Sequence, residues 1–109
     1  MALDVSTLAS QMLGAALPFL KQGGSDIKDF AKQEFTKIAQ QIVQIGENVA
    51  AGQLDEPRAK LLLQMQTNAS RSVLLTVEGL AHVAVEQAIN AALNVVKTAV
   101  NAAIGIALL

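Results

Sequence analysis

The chain contains no cysteine, tryptophan or tyrosine, and phenylalanine, with three copies, is its only aromatic residue type. The absence of cysteine excludes disulfide bonds, thiolate chemistry and cysteine-ligated zinc, and it leaves the redox compartment undetermined. With so few aromatic side chains, a buried core has to be built mainly from alanine, leucine, valine and isoleucine. A core of this composition favours helices that approach one another closely.

Charge is also scarce, since charged residues make up 16% of the chain and hydrophobic residues 52%. Typical soluble proteins have about 25% charged residues. The formal net charge of -1 provides no field that would gather phosphates, so we do not expect nucleic acid as a partner. The shortage of polar surface favours association with another protein chain.

Two interruptions, Gly23-Gly24 and residues 52–57, are the strongest helix-breaking signals in the sequence. They predict an all-α protein with one helical domain over residues 1–109. The predicted helices span about residues 4–20, 26–51 and 56–107. Pro18 should bend or end the first helix, because proline lacks the backbone donor that a helix interior needs. The third helix would be a rod of about 75 Å, with a kink near residues 70–72 or at Gly79 as the alternative.

The C-terminal part of the predicted third helix is apolar over most of its circumference. Its polar residues form one narrow stripe, made of Gln87, Asn90, Asn94, Lys97 and Asn101. This stripe is either the solvated side of the helix or a ladder of interhelical hydrogen bonds. Two shorter helices cannot cover a rod of this length, so apolar surface should remain for a partner. The predicted interface residues are Ile89, Leu93, Val96, Val100 and Ile104.

These patterns favour a helical hairpin or three-helix arrangement with a long apolar C-terminal helix, assembled into an oligomeric bundle. The expected partners are further copies of the chain or another helical protein, and a lipid surface is the alternative. In topology alone, a hairpin followed by a long apolar helix resembles the helical-hairpin subunits of secretion needles and conjugative pili. The leading hypothesis is therefore a non-enzymatic structural subunit.

Two other functions stay open at this stage. Glu78, His82 and Glu86 follow one another in four-residue steps, a spacing at which one helix face can offer ligands to a metal, as in ferritin-like proteins. A solvated helix face is the plainer interpretation of these three residues. A peripheral or pore-forming membrane protein is the other alternative. We find no catalytic or cofactor-binding motif, and the N-terminal residues lack the positive segment of a secretion signal, which favours the cytoplasm.

Overall fold

Four α-helices account for most of the chain. A computed structural model describes residues 3–109. The helices are α1 (Val5–Ala16), α2 (Ile27–Ala50), α3 (Glu56–Leu75) and α4 (His82–Ile104). Residues 3–109 contain no β-strand, so the prediction of an all-helical protein is confirmed.

The helix boundaries follow from local capping chemistry. The Asp4 carboxylate accepts a hydrogen bond from the Thr7 backbone N–H at 2.9 Å and so caps α1. This bond, followed by the one from the Thr7 hydroxyl, lowers the pKa of Asp4 below its usual value. Asp55 caps α3 in the same way, through the Arg58 backbone N–H at 3.0 Å. Pro18 lies in a short 3-10 turn, Leu17–Phe19, so α1 ends at Ala16.

The prediction of one long helix over residues 56–107 is wrong, because the chain turns between α3 and α4 at residues 76–81. Gly79 adopts a φ of 91°, which lies in the left-handed region that glycine enters easily and other residues rarely do. Position 79 was one of the two sites where the sequence allowed a kink, but the structure makes a full reversal there. The reversal folds α4 back beside the rest of the chain.

Helix α1 packs against both α2 and α4, and α3 packs against α2. The turn at Gly79 meets the connection between α1 and α2 at Gln22, so both lie at one end of the bundle. The contact between α3 and α4 is less extensive than the contact of α1 with α4. The molecule measures 43 × 22 × 18 Å, about the length of its longest helix with the flanking turns.

The core is aliphatic, as the composition requires. Phe35 of α2 is completely buried, and leucine, isoleucine, valine and methionine from all four helices surround this region. Fully buried alanines occur on both members of the α1–α4 pair, at Ala16 on α1 and at Ala88 and Ala92 on α4. Small side chains of this kind allow two helix axes to come close together.

Two glycine substitutions, one in the turn between α3 and α4 and one inside α1, should have opposite effects on stability. A Cβ at position 79 would lie 2.5 Å from the Gln22 carbonyl oxygen and would also carry the positive φ. Gly79→Ala should therefore lower the free energy of unfolding by about 2 kcal/mol or more. Gly14→Ala is the matched control, because a Cβ there meets nothing within 4 Å inside α1. It should raise the free energy of unfolding by about 0.5–1 kcal/mol. Urea denaturation measures both, and an equal effect of the two substitutions would contradict this account of the turn.

Candidate interaction surface

The predicted interface residues on α4 turn out to be part of the protein's own core. Ile89, Val96 and Val100 are completely buried by other parts of the same chain. Leu93 and Ile104 are partly buried and pack against the same core. The reversal at residues 76–81 explains this correction, since it supplies α4 with neighbours that a straight rod would lack. These five side chains therefore do not form a free surface for a partner.

The three candidate metal ligands are not on one helix face. Glu78 lies in the turn before α4, and His82 is the first residue of α4. The Glu86 carboxylate forms an ion pair with the Arg71 guanidinium of α3, without the alignment of a hydrogen bond. Within residues 3–109 no three histidine, aspartate or glutamate side chains come together in a way that could hold a metal ion. The four-residue spacing would place the three side chains on one face only in a continuous helix, and Glu78 lies outside α4.

The polar stripe of α4 has two different environments. Asn90, Asn94 and Lys97 are exposed, as expected for the solvated side of a helix. Asn101 is half-buried and binds the main chain of Leu109: its Oδ1 accepts from the Leu109 N–H at 2.9 Å, and its Nδ2 donates to the Leu109 carbonyl at 3.3 Å. Residues 106–109, which we call the strap, thus fold back onto the bundle. Nothing in the periodicity of the stripe distinguishes Asn101 from its exposed neighbours.

The clearest exposed apolar feature lies on α3, at Leu61, Met65 and Ala69, which we call the α3 stripe. Leu61 is 56% exposed and Met65 59%, and Ala69 is exposed one turn further along the helix. Four-residue spacing places the three on one side of α3. These residues are not among those that the sequence predicts for an interface. The signal was the run Leu61-Leu62-Leu63, because three consecutive helical residues span about 200° and cannot all face one core.

A shallow groove borders the α3 stripe on the side of α2. It is lined by Gln41, Leu62, Met65, Gln66 and Ala69. Its lining contains no ionisable side chain and is mainly apolar in character. The groove therefore extends the α3 stripe toward α2 as a surface suited to another apolar side chain rather than to a charged ligand.

A second depression, the α3–α4 cleft, opens between α3, α4 and the strap and has a volume of about 230 Å³. Its lining residues are Lys60, Leu63, Gln64, Thr67, Asn68, Arg71, Leu93, Leu108 and Leu109. Leu108 is buried, which means that the strap fills part of the space between the two helices. This is also where the helix-to-helix contact is less extensive.

Among residues 3–109, three polar side chains are buried, and they lie on α2 and α3. Glu34 of α2 is buried, and its Oε2 accepts from Lys37 Nζ at 3.0 Å, with Lys37 itself exposed. Ser70 of α3 is completely buried, and its hydroxyl oxygen accepts from Gln66 Nε2 at 3.2 Å. The Oγ1 atom of Thr67 is buried and has no hydrogen-bond partner in residues 3–109. The single histidine, His82, is exposed at the start of α4.

Comparison with known proteins adds no relative to these observations. No protein-family model, curated protein or solved structure matches this chain. Among residues 3–109, every helix falls short of the length or the apolar character that crossing a bilayer requires.

The assignment of faces on α4 can be tested with two neighbouring valines. Val96 is completely buried, whereas Val95 is 52% exposed. Val96→Ala should lower the free energy of unfolding by about 2 kcal/mol, because it removes buried methyl groups and leaves a cavity. Val95→Ala should change it by less than about 0.5 kcal/mol. Thermal or urea denaturation of the two variants measures both changes. A larger loss of unfolding free energy at position 95 would show that the faces are assigned wrongly.

Proposed function

We propose that this protein is a non-enzymatic helical subunit that associates with a second copy of itself through the α3 stripe. The observation that carries the proposal is the exposure of Leu61 and Met65 on adjacent turns of one helix. Their exposed methylene and methyl groups gain free energy on leaving water, at about 25 cal/mol per Å² buried. A contact that covers both residues is the simplest way to gain it.

The surface proposed here differs from the one that the sequence indicated. The completely buried side chains of α4 are used within the chain, whereas Leu61 and Met65 of the α3 stripe stay exposed, as do Phe19 and Leu75. Val83 and Val95 of α4 are exposed as well, and Val95 is separated from Val83 by three turns of the helix. The α3 stripe is more concentrated, since its two large side chains are one turn apart.

A second copy suits the α3 stripe because an apolar stripe on a helix can pair with the same stripe related by a two-fold axis. In such a contact, Leu61 of one copy packs near Met65 or Ala69 of the other. The stripe itself carries no ionisable side chain, so two copies bring no like charges together along it. The low fraction of charged residues in the whole chain supports association for the same reason.

The arrangement of polar groups favours a binding role over catalysis. The buried carboxylate of Glu34 is paired with Lys37, and Glu86 is paired with Arg71. In each pair the opposite charges compensate one another. His82 is exposed at the first residue of α4.

Substitution on the α3 stripe tests this proposal. Met65→Lys should weaken self-association by about tenfold or more, because a charge would have to be buried at the contact. Gln64→Lys is the matched control: residue 64 is also exposed on α3, but it lines the α3–α4 cleft instead. Sedimentation equilibrium of the wild type and both variants over a range of concentrations measures the dissociation constants. A wild type that stays monomeric throughout, or equal weakening by both variants, would refute the proposal.

A further inference from the structure

The strap is held against the bundle by three main-chain hydrogen bonds to side chains. Two join Leu109 to the Asn101 amide group, and the third runs from the Ala107 N–H to Glu56 Oε1 at 3.1 Å. Gly105, with a φ of 86°, turns the chain back so that these bonds can form. The strap therefore connects α4 to the first residue of α3, across the end of the α3–α4 cleft.

The cleft holds one side chain whose burial is favourable and one whose burial is unfavourable. Leu108 is buried there, which favours closure. Thr67 lines the same cleft, and its Oγ1 is shielded from solvent without a hydrogen-bond partner among residues 3–109. A hydroxyl group in this position loses the hydrogen bonds that it makes to water, and this loss destabilises the folded structure. Because Leu108 and Leu109 line the cleft together with Thr67, lifting the strap would widen the cleft beside this side chain.

We propose that the strap is a releasable gate over the α3–α4 cleft, which opens and closes while the four helices stay folded. In the open form, Leu63, Leu93 and the Thr67 hydroxyl group become accessible from the side that Leu108 and Leu109 cover. The balance between the favourable burial of Leu108 and the unfavourable isolation of Thr67 sets the population of the open form. This gate is independent of the proposed self-association, because the α3 stripe and the cleft use different residues of α3.

Hydrogen exchange of the 109-residue chain tests the gate directly. The amide protons of Ala107 and Leu109 bond only to side chains that hold the strap, so their exchange reports strap opening. In the wild type they should be protected, but should exchange at least about tenfold faster than the amide of Val96 within α4. Asn101→Ala should speed exchange at Leu109 about fivefold, because it removes both bonds to that residue.

A pair of matched threonine substitutions tests the role of the isolated hydroxyl group. Thr67→Val should slow exchange at Ala107 and Leu109 about fivefold or more, because the closed form no longer isolates a hydroxyl group. Thr36→Val is the control, since the Thr36 hydroxyl donates to the Lys32 carbonyl at 2.7 Å and lies on α2. It should leave the exchange of the strap amides unchanged.

Three results would overturn the gate. Exchange of the strap amides at the rate of Val96 would mean that the strap opens only with global unfolding. Absence of any protection at Ala107 and Leu109 would mean that no closed form exists. Unchanged exchange in Thr67→Val would mean that the hydroxyl group has no effect on strap opening. Because Thr67→Val keeps the shape of the side chain and needs no other change, it is the variant expected to stay folded.

Discussion

The fold depends on burial of one face of α4 by the rest of its own chain. This burial requires the reversal at residues 76–81, because a straight helix over residues 56–107 would extend to roughly 75 Å and leave most of its length without neighbours. The observed molecule is 43 Å long, and α1 is the helix that makes the most extensive contact with α4. Once one face of α4 is covered in this way, six large apolar side chains of the described residues stay exposed, and Leu61 and Met65 are two of them that lie one turn apart on α3. The proposed contact between copies therefore uses apolar side chains that remain exposed after the chain has buried one face of α4.

The helical class and the limits of α2 could be predicted because local signals were strong there. Residues such as Ile38 and Ile42 recur at helical spacing, and the predicted helix over 26–51 differs from Ile27–Ala50 by one residue at each end. The reversal at Gly79 could not be predicted with the same means. A glycine weakens a helix by only about 1 kcal/mol, which tertiary contacts easily exceed in either direction. The decisive contact, between the turn and Gln22, joins residues more than fifty positions apart.

The surface was harder to predict than the fold for a related reason. Apolar periodicity identifies residues such as Ile89 and Val96 as buried, but it does not say whether the cover comes from the same chain or from another one. Asn101 shows the same limit for a polar residue. Its spacing places it in the exposed stripe of α4, and only the turn at Gly105 brings the main chain of Leu109 within its reach. For both kinds of residue, the missing information is the path that the chain takes outside the helix.

The completely buried alanines of the α1–α4 pair, Ala16, Ala88 and Ala92, are positions that should tolerate few substitutions during evolution. Large buried side chains can lose a methyl group at moderate cost, since neighbouring groups relax partly into the space. An alanine between two close helices has no atom to lose without becoming glycine, and any larger side chain forces the helix axes apart. The same holds for the completely buried Ala31 and Ala39 of α2 and Ala59 of α3, so divergence of this protein should be slowest at these alanines and faster at the larger buried aliphatic side chains.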